Sequence, residues 1–482
     1  MSQSAQTIFI NGQWREAIDG ASFQVTDPST GEVIGHASDG SRADADAAIA
    51  AAAAAFPAWS QTTAYQRAEI LQRAHDLMRE RQEELAQLMT KEQGKPLKAS
   101  RNEVGYAADF LRWFAGEALR IGGSTIPSAR ADQRFVTIHQ PVGVIAAITP
   151  WNYPISMITR KIGPALAAGC TSVLKPAALT PLCAAATLEI FREAGVPDGV
   201  INQVTTSHAA EVGDAFIESR DVRKITFTGS TAVGRKIAGQ ASEAMKRVSV
   251  ELGGHAPFIV FPDADPVHAA KGAALVKFLN MGQACISPNR IYVHRSIYDT
   301  FLETLQSRVS ALKVGRGTET GVSIGPLIDD RATAKMVEQV EDARGKGARV
   351  LTGGERVTVD GLAGENFYSP TVLADVTPDM LISSEETFGP IAAVTPFDTE
   401  EEVIELANDT EYGLAAYVYT KDLSTAIRVT EKLHFGMVGV NDINPTSAAA
   451  PFGGVKDSGL GREGGAEGIF EYLDVKLIGL SV

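Results

Sequence analysis

Apolar residues recur along this chain with two different periods, and the change from one to the other divides it. Residues 43–56 are nearly all alanine, which favours helix because alanine loses no side-chain entropy, and Pro57 is expected to end that helix. Over residues 67–91, Ile70, Leu71, Ala74, Leu77, Met78, Leu85, Leu88 and Met89 fall on one helical face, predicting a single amphipathic helix. Beyond residue 142 short β-rich runs alternate with helical stretches, at 142–149, 171–174, 201–204, 224–227 and 248–252. That βαβ series predicts a parallel sheet with right-handed crossovers and a ligand crevice at the carboxyl ends of its strands. A second alternating series follows Cys285, with helical periods at 296–312, 331–346, 399–408 and 422–433 and an extended run at 391–397, predicting a second α/β lobe.

Smaller β elements flank these. Residues 8–14 read as a hairpin with Asn11-Gly12 at its turn, and residues 27–31 as a second turn. Residues 122–142 carry no helical period, and the alternating run 134–139 suggests an exposed hairpin. No internal repeat divides the chain.

Composition narrows the classes of function. At 482 residues, two or three lobes are expected. A net charge of −14 argues against nucleic acid as a partner. The three cysteines, Cys170, Cys183 and Cys285, lie far apart with no metal-ligand spacing, which suits a reducing cytoplasm and predicts no metal site. Residues 1–13 lack a basic region and an apolar core, and no apolar run approaches the roughly 20 residues of a membrane span. Neither export nor a membrane partner is expected.

The candidate chemistry sits at strand ends and turns. Residues 227–234, with Gly229, Ser230 and Gly234, link a strand to a helix, so the backbone can approach a phosphate at the helix N-terminus. Lys175 follows a strand directly and reads either as a surface lysine or as a ribose or phosphate ligand. Asn152, held between Pro150 and Pro154, could donate to an oxyanion or bond its own backbone. Glu251 ends the last strand before Gly253-Gly254, as an exposed acid or as a general base with a raised pKa. Cys285, in the turn of residues 282–290, is either a small buried hydrophobe or a nucleophile.

Taken in order, Trp151-Asn152, Lys175-Pro176, the turn 229–234, Glu251-Leu252-Gly253-Gly254, Gly282-Gln283-Ala284-Cys285, Glu386-Thr387-Phe388-Gly389-Pro390 and Pro451-Phe452-Gly453-Gly454 make the chain resemble the aldehyde dehydrogenase superfamily over essentially its whole length. The resemblance implies oxidation of a small-molecule aldehyde to a carboxylate with NADP or NAD. It implies Cys285 as nucleophile, Asn152 as oxyanion donor and Glu251 as the base for thioester hydrolysis. It places Trp151, Lys175, Gly229, Ser230, Glu386 and Phe388 at the cofactor. NAD-preferring relatives often carry glutamate three residues past the lysine; here Ala178 stands there, so NADP is expected to be accepted.

Residues 157–170 and 451–463 look most like the succinate-semialdehyde dehydrogenase branch, which implies Arg160 and Thr446 as substrate-binding residues. That branch usually carries a second arginine six residues before the cysteine and a redox-partner cysteine two after it. This chain has Leu279 and Ser287 there. Aldehydes derived from glutarate or α-ketoglutarate, and uncharged or aromatic aldehydes, therefore stay open. A non-redox cysteine hydrolase is the reading from a different class, but it would not need the nucleotide motifs. A relative that passes the acyl group to coenzyme A would characteristically lack Glu251.

The implied architecture is a Rossmann-like parallel-sheet nucleotide domain (residues 1–122 and 143–253), a second α/β catalytic domain (254–453), and a small β oligomerisation element (123–142 with 454–482). Relatives of this architecture are homodimers or homotetramers.

Overall fold

A computed structural model of the chain describes residues 6–482. The N-terminal hairpin forms as its turn chemistry requires: Ile8–Ile10 pairs antiparallel with Gln13–Arg15, and Asn11 and Gly12 take φ of 51° and 80°. The alanine-rich helix runs Arg42–Ser60, straight through Pro57. Proline removes one hydrogen bond only in the last turns, and Trp59, 2% exposed, packs those turns into the core. The single helix expected over residues 67–91 is two, Ala64–Glu80 and Gln82–Gln93, broken at Arg81. Between Met78 and Leu85 six consecutive polar residues interrupt the apolar face, so nothing there holds the two segments in one line.

The βαβ series closes into one sheet. From edge to edge its strands are Gly459–Leu460, Arg247–Glu251, Val222–Thr228, Val144–Ile148, Thr171–Lys175, Ile201–Gln203, Ile8–Ile10 and Gln13–Arg15, with the middle five parallel. A second sheet, of seven strands, is centred on Pro288–His294 and Ala256–Val260, which are also parallel. Residues of each sheet pack into their own apolar clusters. A third, small sheet joins Thr125–Ile126, Gln133–Pro141 and the C-terminal strand Leu473–Ser481. The doubly layered α/β class with a small β element is therefore the observed fold. The segment Gly459–Leu460 pairs with Arg247–Glu251, so the structure joins to the first sheet a stretch that the sequence grouped with the small β element. Among the described residues, no helix is long and apolar enough to cross a membrane.

Candidate active site

The cysteine turn lies where the two large sheets meet. Helix Pro266–Phe278 stops at Leu279, and the next three residues, Asn280, Met281 and Gly282, all adopt left-handed backbone with φ of 49°, 57° and 73°. Such a conformation costs about 1–3 kcal/mol at each non-glycine position, so the surroundings must enforce it. They do: Asn280 Nδ2 donates to the Asn152 and Gln283 carbonyls at 2.9 and 3.2 Å, and Met281 is fully buried. A Cβ on Gly282 would lie 2.1 Å from the Gly389 carbonyl, so the turn packs directly on the motif of residues 386–390. Gly254 serves likewise, since a Cβ there would meet the Cys285 carbonyl at 2.2 Å.

Cys170 and Cys183 are buried, whereas Cys285 is partly open and lines a cavity of about 750 Å³. Arg160, Tyr106, Leu279, Thr446 and Phe452 share its wall. Burial pushes the Cys285 thiol up to about 12, although Arg160 pulls the other way. The resting sulfur therefore holds its proton. Thr446 donates to Asn444 Oδ1 at 2.7 Å, keeping its hydroxyl at the cavity.

Asn152 and Glu251 stand behind that wall, 5% and 4% exposed. Asn152 Nδ2 donates to the Gln283 carbonyl at 3.0 Å, which uses one of its two hydrogens and fixes the plane of the amide two residues before Cys285. Glu251 is not the exposed strand-end acid that its position allowed. Neither of its carboxyl oxygens has a hydrogen-bond partner, and burial, then Glu463, push its pKa well above the ordinary range against Arg160, Lys161 and Arg462.

Glu463 went unrecognised in the sequence. Its carboxylate bonds Lys161 Nζ, and its Oε2 lies 2.9 Å from Arg160 Nη2 without the alignment of a hydrogen bond. Arg160 and Lys161 are 2% and 0% exposed in helix Ser156–Ala168, which is buried along its length. Two adjacent cations in an otherwise apolar helix were the signal that an acid had to come from elsewhere. The Arg160 guanidinium also stacks 3.9 Å over Phe452, and its Nε and Nη2 make no hydrogen bond.

The nucleotide motifs converge at the carboxyl end of the first sheet. Lys175 is buried, not a surface lysine; among the described residues its Nζ bonds only the neighbouring Pro176 carbonyl, and burial lowers it to about 8. Gly229 N–H donates to the Glu251 carbonyl, and Ser230 opens the helix Thr231–Glu243. Glu386 Oε1 accepts from Gly254 N–H at 2.9 Å, and burial raises its carboxyl to about 7. Trp151 meets Phe388 edge-on at 5.7 Å. The buried hydroxyls of Thr228 and Thr387 lack partners. A lysine without an acid, a helix N-terminus, a carboxylate outside any ion pair among the described residues, and orphaned hydroxyls fit a dinucleotide's phosphates and ribose hydroxyls.

A parallel sheet with a helix N-terminus at its carboxyl end, beside a cavity lined by a cysteine, is an arrangement suited to nucleotide-dependent oxidation at a thiol. The comparisons make the family specific: residues 14–478 match the aldehyde dehydrogenase family, and the chain belongs to it, as an oxidoreductase. It is 51% identical to the glutarate-semialdehyde dehydrogenase of Pseudomonas putida over 99% of this chain and 98% of that protein. It is also 51% identical to the NADP(+) succinate-semialdehyde dehydrogenase of Escherichia coli K12, over 98% of this chain and 97% of that one. A crystal structure of an E. coli NADP-dependent enzyme superposes with a TM-score of 0.97 at 50% identity, covering 99% of this chain and 98% of that one.

Proposed function

We propose that the chain oxidises a semialdehyde, an aldehyde with a carboxylate at its far end, by covalent catalysis at Cys285. The observation that carries this reading is Arg160, a buried guanidinium on the same cavity wall as the nucleophile, whose Nε has no hydrogen-bond partner and whose Nη2 meets Glu463 Oε2 at 2.9 Å without hydrogen-bond alignment. An arginine fork satisfied by a ligand carboxylate resolves that cost. The relatives named for succinate and glutarate semialdehydes support the same substrate class.

In the first half-reaction Sγ loses its proton to solvent water and bonds the aldehyde carbon, and the carbonyl π pair moves onto its oxygen. The oxyanion so formed takes the free hydrogen of the Asn152 amide and the Cys285 backbone N–H. A nicotinamide cofactor, if held there, would supply the hydride acceptor for this carbon. Lys175, Gly229 and Ser230 hold the adenosine and pyrophosphate end, and Glu386, Phe388 and Trp151 the nicotinamide riboside. In the second half-reaction water attacks the thioester and yields its proton to Glu251, the C–S bond breaks, and the acid departs. Burial raises both the Cys285 thiol, to about 12, and the Glu251 carboxyl, so turnover rises with pH as these groups give up their protons.

Ala178 leaves room for a 2′-phosphate, which favours acceptance of NADP. Domain roles follow the sheets, with the first carrying the nucleotide and the second the nucleophile. Pairing of Gln133–Pro141 with Leu473–Ser481 leaves Val475, Leu477 and Leu480 exposed, which supports a homodimer or homotetramer built on that element. The test is a panel of semialdehydes and uncharged aldehydes with both cofactors, comparing wild type with Arg160→Ala. A loss of about 10- to 100-fold in kcat/KM confined to the charged substrates is expected, the worth of one charge-assisted contact. Equal losses on both sets would remove Arg160 from substrate binding and favour the uncharged aldehydes that Leu279 on the cavity wall would suit.

A further inference from the structure

A second buried ion pair, Lys95–Glu103, lies beside Asn152 along the cavity that Cys285 lines, and both members are 1% exposed by side chain. Lys95 Nζ donates to Glu103 Oε2 at 2.5 Å and to the Asn152 carbonyl at 2.6 Å, while sitting 4.3 Å over the Tyr153 ring. The other Glu103 oxygen accepts the N–H groups of Ile155 and Ser156 at 3.0 and 3.2 Å, the entry to helix Ser156–Ala168. One ion pair thus grips both ends of the turn from Asn152 to Ser156. Asn280 completes the clamp, because its Nδ2 reaches the Asn152 carbonyl and the Gln283 carbonyl together. That Gln283 oxygen is the acceptor that orients the Asn152 side-chain amide.

We infer that Lys95, Glu103 and Asn280 are positioning residues that fix the Asn152 amide relative to Cys285, acting through the backbone carbonyls of Asn152 and Gln283. The physical reason is geometric. An oxyanion donor contributes only if it is already aimed where charge develops, and an error of about 1 Å can cost about 100-fold in rate. A charged donor on the Asn152 carbonyl resists rotation of the adjoining peptide more strongly than a neutral one. None of the three residues needs to touch substrate or cofactor for this role.

The inference rests on Asn152 serving as the oxyanion donor, so the experiment is a double-mutant cycle. Lys95→Met is expected to lower kcat about 10- to 100-fold with KM for the cofactor unchanged, and less than about twofold further when placed on Asn152→Ala. Asn280→Ala carries the same cycle with a neutral side chain and a smaller loss, and it decides the matter if Lys95→Met does not fold. Losses that multiply in full on the Asn152→Ala background would mean a general structural role and overturn the inference. If Asn152→Ala alone leaves kcat intact, the oxyanion reading itself fails, which is a different outcome from full multiplication.

Discussion

Two buried clusters of charge flank Cys285, and they are built on opposite terms. In the Lys95–Glu103 pair both carboxylate oxygens and the ammonium are engaged with each other, with backbone groups and with Tyr153. In the cluster of Glu251, Arg160, Lys161 and Glu463, both Glu251 oxygens and Arg160 Nε have no hydrogen-bond partner among the described residues, and Arg160 Nη2 meets Glu463 Oε2 only as a poorly aligned ion pair at 2.9 Å. Leaving a buried polar atom unpaired costs about 1–3 kcal/mol, more when charged, so the second cluster holds interactions in reserve for a ligand or a proton. The first cluster is satisfied within the protein and is suited to hold shape. On the proposed chemistry, the difference separates scaffold from reactive machinery more clearly than burial does, since all six side chains are buried.

The largest test of that contrast is Glu251→Gln. Turnover should fall about 100- to 10,000-fold, with a burst of reduced cofactor still formed because the thioester accumulates. Stability should hold or rise, because an acid without partners is replaced by a neutral amide. Stopped-flow absorbance and urea denaturation read the two effects, and a loss of both burst and stability would erase the distinction. Glu103→Gln should behave in the opposite sense, costing about 3 kcal/mol or more in urea because Lys95 is left as an uncompensated buried charge. An unchanged midpoint would show that the satisfied pair holds nothing in place.

The smallest effect is on pH dependence. Glu386 has its folded pKa raised to about 7, and Glu251 is also raised, burial being the main cause for each. Below the unfolded value both states are protonated. As pH rises, the unfolded chain ionises first, so the stability tied to these two acids is lost progressively until the folded pKa is passed. In the cofactor-free protein, melting temperature should therefore decline from about pH 5 to 7. Glu386→Gln should flatten that slope, because a carboxyl that stays protonated in the fold while the unfolded chain ionises loses about 1.4 kcal/mol for each step of one in pH. Parallel slopes in the two proteins would show that Glu386 ionises freely in the fold.

Much of the fold was legible from periodicity. The parallel sheet, the second α/β lobe and the Asn11-Gly12 hairpin all depend on residues close in sequence, whose alternation or turn chemistry is local. Two helix boundaries were not legible, at Pro57 and Arg81. The first was decided by Trp59 reaching a distant core, and the second by a lapse in apolar contacts that the shared helical face conceals.

The sequence by itself determined the inventory: a cysteine in a turn, an amide between prolines, an acid at a strand end and a glycine-rich approach for phosphate. Those are local patterns, and a resemblance to a family could be read from their order. Only the tertiary structure decided that Cys285 alone of three cysteines opens to a cavity, and that Glu463 comes from 302 residues away to Lys161. It also decided that Lys95 reaches the Asn152 carbonyl across 57 residues. A pKa and an unpaired atom are properties of burial and of charges brought together by distant chain, so neither is carried by any stretch of sequence read alone.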